Sequence, residues 1–236
     1  MKNQSYIDQI EFFVPPSRLS NKKLVEENPS WDVDEIYEKT GIKNRYIAAT
    51  NTTATDLAVD AGKKFLDKYP EKKKEIDYLI FCTQSPDFFL PTSACLIQDR
   101  LGLRTQIGAI DINQGCSGFV YALSLAKGMI ESDQVKNVLI ITSETYSKYI
   151  NDKDKSVRTL FGDAACCTFV DSKKDDKEHI SKILHGTDGE GGKHLIVPHG
   201  AHKNPINESS YIESEDSSKN IRSHANLYMN GAAIYT

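Results

Sequence analysis

Three observations predict an α/β fold for this chain. Short apolar runs of strand character alternate with helical stretches along most of its length. The middle runs, such as Val138-Leu-Ile-Ile-Thr142, are continuously apolar, as strands are when helices cover both faces of their sheet. The stretch from Ser117 to Ile130 is apolar around nearly its whole circumference, which suits a helix in a central layer or at a subunit interface.

Taken in order, Ile7 to Val14 reads as the first strand and Ala54 to Tyr69 as the first helix. The strand Tyr78 to Thr83, the helix Thr92 to Leu101, the strand Ile107 to Ile112 and the helix Ser117 to Ile130 follow. Val138 to Thr142 and Cys166 to Val170 complete the strands, and parallel neighbours would be joined by right-handed crossovers. Beyond them, Asp171 to Glu178 reads as a charged turn and Ile180 to His185 as one more strand. Residues 186–218 are polar and rich in Gly, Asn, Ser and His, an excursion over the surface that could serve as a lid. Leu227 to Thr236 looks like a strand end running into a helix that stops mid-element.

With 236 residues, 39% of them hydrophobic, the chain can bury the core of one large or two small domains. Its longest apolar runs fall well short of the roughly 20 residues that span a bilayer, and Met1-Lys-Asn-Gln-Ser-Tyr6 has no signal-peptide core, so no membrane span and a cytoplasmic location are expected. Five cysteines without CxxC pairs or zinc spacing point to reduced thiols and to no metal. His194, His199 and His202 read as solvated loop residues, since no carboxylate or cysteine accompanies them at ligand spacing. A net charge of −4, with Lys72-Lys-Lys74 and Lys173-Lys174 interleaved with acids, argues against nucleic acid as a partner.

Cys116 is the candidate with chemistry. A strand ending at Ile112, a turn carrying Gly115 and a helix opening at or just after Cys116 would place the thiol where orphan N–H groups and the positive helix end favour thiolate. This is a cysteine counterpart of the serine nucleophile elbow. The competing reading makes Cys116 one more small buried residue, as free cysteines often are. Cys82, Cys166 and Cys167 lie inside apolar strand runs and Cys95 opens a helical stretch, so these four read as packing.

Several pieces in fixed order carry a family resemblance. They are Lys39-Thr-Gly-Ile-Lys-Asn-Arg-Tyr-Ile-Ala48, Leu90-Pro-Thr-Ser-Ala-Cys-Leu-Ile-Gln98, Asp111-Ile-Asn-Gln-Gly-Cys-Ser-Gly-Phe-Val-Tyr-Ala-Leu123, Thr159-Leu-Phe-Gly-Asp-Ala-Ala165 and Met229-Asn-Gly231. Together they resemble β-ketoacyl-acyl-carrier-protein synthase III, a branch of the thiolase superfamily, from the first strand to the last residue. The resemblance implies a thiolase fold of layered α-β-α-β-α type, of which residues 1–225 would be the first half and 226–236 the start of the second. It implies an acyltransferase without a cofactor, taking acyl-coenzyme A or an acyl carrier protein thioester and then malonyl carrier protein, and working as a homodimer. Cys116 falls on the nucleophile, with its backbone N–H as oxyanion donor. The family's decarboxylating histidine and asparagine would lie beyond Thr236.

The chain departs from the family at the entrance for the donor. Glu35 stands where an aromatic residue stacks on the adenine of coenzyme A, while Lys39 and Lys155 take two basic positions of that site. This puts coenzyme A in question as the priming donor. Leu90 matches a residue that reaches the partner subunit's acyl pocket, where leucine in place of an aromatic would admit a different or longer acyl group. Two other readings remain: a thiolase-fold acyltransferase of a specialised lipid, polyketide or polysaccharide pathway, and a non-catalytic partner of a longer synthase. The intact Gly115-Cys116-Ser117-Gly118 turn argues against the second. An isolated half would leave roughly 300 to 600 Å² of apolar helix uncovered, a cost of about 8 to 15 kcal/mol that favours association.

Overall fold

The structure, a computed structural model, describes residues 2–235. In chain order its elements are β1 (Lys2–Phe13), β2 (Ser17–Ser20), α1 (Asn21–Glu27), α2 (Val33–Thr40), β3 (Asn44–Ile47), α3 (Ala54–Lys68), β4 (Tyr78–Cys82) and α4 (Ser93–Arg100). Then come β5 (Gly108–Ile112), α5 (Gly118–Glu131), β6 (Val138–Glu144), α6 (Lys155–Arg158) and β7 (Ala164–Asp175). Four two-residue strands follow, β8 (Leu195–Ile196), β9 (Ser214–Glu215), β10 (Ile221–Arg222) and β11 (Tyr228–Met229), and last α7 (Gly231–Tyr235). They sort into two compact units, one of residues 1–15, 48–145 and 164–184, the other of residues 16–47, 146–163 and 185–236.

The first unit is built on a mixed sheet in the order β1-β7-β6-β4-β5. β4 runs parallel to β5 and β6, and β7 is antiparallel to both β6 and β1. Successive side chains of a strand face opposite ways, so an all-apolar strand needs cover on both sides. Leu79, Phe81, Leu139 and Ile141 pack with α3 and α4, whereas Ile80 and Ile140 pack with Ala122, Ala126 and Ile130 of α5. The apolar runs are therefore sandwiched, as the sequence predicts. α3 opens with a capping box in which Thr53 and Asp56 satisfy each other's backbone N–H groups. Phe65 from that helix stacks on Phe169 of β7 at 6.0 Å, and burying each such ring contributes about 1.5 to 3 kcal/mol.

Two expectations for this unit need correction. The charged segment does not turn at Asp171, because β7 continues to Asp175, with Ser172 to Asp175 laddered against Ser5 to Lys2 of β1. Backbone pairing to an available edge outweighs the poor strand propensity of those side chains, which lie in solvent or at its margin. Ile180 to His185 forms no strand. Ile180 is buried and Ile183 joins it in the apolar group beside α5, where the Lys127 ammonium donates to the Ile180 carbonyl at 2.7 Å. α5 itself buries only the face of Gly118, Ala122, Ala126 and Ile130, leaving Val120 and Leu125 at 43% and 47% exposure. Its all-round apolar character is thus used on one side within this chain.

The second unit begins with elements that the apolar pattern does not reveal. β2 and β3 pair antiparallel, with α1 and α2 between them. The Ser20 hydroxyl accepts from the Lys23 N–H to start α1, and the Asp32 carboxylate accepts from the Glu35 N–H to start α2. Gly41 ends α2 at φ 69°, the left-handed conformation that glycine adopts without strain. The unit's apolar group gathers Ile150, Val157 and Leu227 with Phe161 and Met229. Residues 186–218 are mostly irregular, with 3-10 turns at Gly189–His194 and Glu208–Tyr211. β11 and α7 fall where Leu227 to Thr236 was expected to pass from strand to helix, Thr236 itself lying outside the described residues. No helix among the described residues is long and apolar enough to cross a membrane.

Candidate active site

In the first unit, β5 ends at Ile112 and α5 opens at Gly118, so the connection holds Cys116 at a tight bend. The Gly118 N–H donates to the Gly115 carbonyl at 2.8 Å and closes it. The Cys116 side chain is exposed, and its amide makes no backbone hydrogen bond among the described residues. An accessible thiol therefore sits beside a backbone donor and the open end of a 14-residue helix. That is the geometry the sequence predicts for a nucleophile rather than for a core cysteine.

The floor of the bend comes from β4 and β6. The Thr83 N–H donates to the Ile112 carbonyl at 3.1 Å and the Cys82 thiol to the Gln114 carbonyl at 3.3 Å. Glu144, at the end of β6, accepts from the Gln84 N–H and the Ser85 hydroxyl, both at 2.7 Å. These bonds tie neighbouring strand ends together beneath the bend. Cys82 and Cys167 are buried and Cys166 is half-buried, as packing residues should be. Cys95 is exposed instead: α4 turns Ser93, Ala94 and Ile97 inward, and Cys95 falls on the other side of the helix.

Leu90 lies in an exposed apolar tip, Phe88-Phe89-Leu90, with Leu90 at 82% exposure. The tip leads into α4, whose start is held by Asp111 of β5. One carboxylate oxygen accepts from the Ser93 N–H and the other from the Ala94 N–H, each at 2.7 Å. Thr92 supplies no side-chain cap, so this aspartate does the work of one from a neighbouring element. Burial raises the Asp111 carboxyl despite those two bonds. Sequence reasoning missed this role, though an acid inside the apolar run Ala109 to Ile112 was the available signal.

In the second unit, Lys39 and Lys155 meet on Glu35. The Lys39 ammonium lies 2.7 Å from one carboxylate oxygen and the Lys155 ammonium 2.7 Å from the other. Lys155 first, then Lys39, holds the Glu35 carboxyl down to about 2. Two cations that could attract a phosphate are thereby partly neutralised by an acid standing between them. Elsewhere in this unit His199 is half-buried rather than solvated, with Nδ1 2.9 Å from the Ser210 hydroxyl and its ring 4.9 Å from that of His224. Among the described residues no group of three or more His, Cys, Asp or Glu could hold a metal ion.

Comparison with known proteins shows the family and the fold. The family model of 3-oxoacyl-[acyl-carrier-protein (ACP)] synthase III matches residues 110–189, which include the bend at Cys116. A β-ketoacyl-[acyl-carrier-protein] synthase III of Clostridium perfringens is 36% identical over 238 residues, covering 100% of this chain and 68% of that protein. The chain belongs to the β-ketoacyl-acyl-carrier-protein synthase III family. A relative from Aliarcobacter butzleri is 37% identical over 200 residues, 83% of this chain and 59% of its own. The 2.1 Å crystal structure of a 3-oxoacyl-(acyl-carrier-protein) synthase III superposes with a TM-score of 0.94 at 46% identity, over 97% of this chain and 68% of that one. The fold is thus the thiolase-like α/β fold of this family. The chain spans 57%, 59% and 64% of the length of three curated relatives it matches.

Proposed function

We propose that this chain is the nucleophile-bearing portion of a synthase III-type acyltransferase. The Cys116 thiolate attacks the carbonyl carbon of an acyl thioester, the donor thiol leaves, and an acyl-cysteine remains. Malonyl carrier protein then loses CO₂, and the resulting carbanion attacks the acyl-cysteine, releasing a 3-oxoacyl carrier protein and the free thiolate. The Cys116 N–H stabilises the oxyanion in each attack. The histidine and asparagine for decarboxylation would come from beyond Thr236, residues 1–225 being the first half of the fold and 226–236 the opening of the second. No cofactor is needed, since the thioester supplies the activated acyl group.

The observation that carries this reading is an exposed cysteine at a closed bend between β5 and α5, whose amide makes no backbone hydrogen bond among the described residues. The test is intact-mass measurement after incubation with acyl-coenzyme A and acyl carrier protein donors, alongside Cys116→Ala. An acyl mass increment is expected in the parent protein and absent from the variant. An increment that survives in the variant would exclude Cys116 as nucleophile, and none from any donor would favour a non-catalytic partner.

The donor we favour is an acyl carrier protein. Glu35 occupies both lysines at 2.7 Å, which disfavours gripping a nucleotide phosphate there. The setting proposed is a cytoplasmic homodimer in fatty acid or related lipid or polyketide synthesis. There the exposed Leu90 of one copy would limit the acyl pocket of the other, and leucine would leave room for a longer primer.

A further inference from the structure

Two cysteines meet at the bend between β5 and α5, and the proposed reaction uses only Cys116. Cys82, the last residue of β4, is 3% exposed. Its sulfur donates to the Gln114 carbonyl at 3.3 Å. The same sulfur faces Gly118 so closely that a Cβ placed there would lie 2.3 Å from it. One atom therefore touches both ends of segment 114–118, whose middle residue is Cys116.

We infer that Cys82 is a positioning residue for Cys116, its S–H anchoring the Gln114 carbonyl and its volume supporting the backbone of Gly118. The inference rests on the reading of Cys116 as the nucleophile. Burial first, and the Glu144 carboxylate second, push the Cys82 thiol up to about 11. At neutral pH it stays protonated, so it keeps donating and does not compete for the acyl group. Gly118 has a matching requirement, because a Cβ there would meet the Cys82 sulfur at 2.3 Å, and more mildly the Gln114 Cβ at 3.0 Å, and would drive the sulfur from its place. β4 and α5 are thus in contact beneath the nucleophile through one thiol and one glycine.

The test reads Cys116 directly and needs no acyl donor. Iodoacetamide alkylates the thiolate with loss of iodide, and peptide mass spectrometry gives the rate at Cys116 separately from the other cysteines. Cys82→Ala should slow that rate by a factor of about 3 to 10, the worth of one hydrogen bond. Cys82→Ser, which still donates, should recover most of it. Gly118→Ala should also slow alkylation, and Cys82→Ala combined with Gly118→Ala should be faster than Gly118→Ala alone, because the sulfur that the new methyl would strike is gone. A parental rate in Cys82→Ala overturns the inference, as does a serine variant as slow as the alanine. If Cys82→Ala alone does not fold, Cys82→Ser decides instead, and a rate in it well below the parental one overturns the inference. Failure of every donor to acylate the parent protein would sink the acyltransferase reading while leaving these alkylation ratios intact.

Discussion

The bend around Cys116 and the cluster around Glu35 are held by opposite means. At the bend, a buried sulfur, a 2.8 Å backbone bond and a glycine with no room for a Cβ define the path of the chain. At the cluster, three charged side chains with 32%, 41% and 70% exposure are joined by attraction alone. Contacts of the first kind fix positions to within the tolerance of packed atoms and respond sharply to an added or missing group. Contacts of the second kind set a local potential, contribute little to stability and weaken with salt. The nucleophile proposed at Cys116 needs the first kind of support, whereas the donor selection proposed at Glu35 needs only the second.

The largest effect on stability should come from Asp111, which extends the rigid support from β5 to the start of α4. Asp111→Ala leaves two N–H groups of α4 without their carboxylate, with no cap from Thr92 to replace it. Loss of these charge-assisted bonds, less the relief of unburying an acid, should cost about 2 to 3 kcal/mol. In thermal unfolding this corresponds to a Tm lower by roughly 4 to 12 °C for a chain of this size. The Phe88-Phe89-Leu90 tip should also become more susceptible to limited proteolysis. An unchanged Tm would show that the rigid region ends at β5.

The same contrast explains what could be read from the residues in order. The middle strands were legible because Tyr78 to Cys82 and Val138 to Thr142 are apolar runs of strand length between helical stretches. Cys116 was legible because Gly115 and Gly118 flank it at a strand-to-helix junction. α1 and α2 were not, since each is only seven or eight residues long and buries chiefly Leu24 and Ile36, too little for an apolar face to stand out. The caps at Ser20, Asp32 and Gly41 and the helical spacing of Val33, Ile36 and Tyr37 were the local signals. The end of β7 was hidden because its partner, β1, lies some 170 positions earlier in sequence. The burial of Cys82 followed from its apolar run, but its bond to Gln114 joins residues 32 apart. The Glu35 cluster spans 120 positions, so its three members could be named while their mutual neutralisation could not.

A smaller effect should follow at that cluster from Glu35→Gln. The substitution leaves Lys39 and Lys155 charged without their shared partner, so affinity for coenzyme A, followed by isothermal titration, should rise about two- to fivefold. Tm should stay within error of the parent, because the side chains involved are largely solvated. A large fall in Tm would break the comparison by making the cluster structural. Unchanged affinity would show that the two lysines do not meet the nucleotide phosphate.

The smallest effect, and the one that separates the two regions most cleanly, is how that affinity difference depends on pH and salt. Lys155 and Lys39 lower the Glu35 carboxyl from its ordinary 4.5 to about 2. A carboxyl lowered on folding contributes its stabilisation fully above the unfolded value and loses it as pH falls through the folded one. The ion pairs should therefore be intact from pH 8 to about pH 3.5, and the ratio of coenzyme A affinities between Glu35→Gln and the parent should stay constant over that range, which spans the ordinary carboxyl value. A change of that ratio with a midpoint near 4.5 would mean that Glu35 is unpaired in solution. Raising ionic strength from about 0.1 to 1 M shortens the screening length from about 10 to 3 Å and should bring the ratio close to one. The iodoacetamide rate ratio between Cys82→Ala and the parent should not move with the same salt, because a neutral thiol and a buried glycine have no charge to screen.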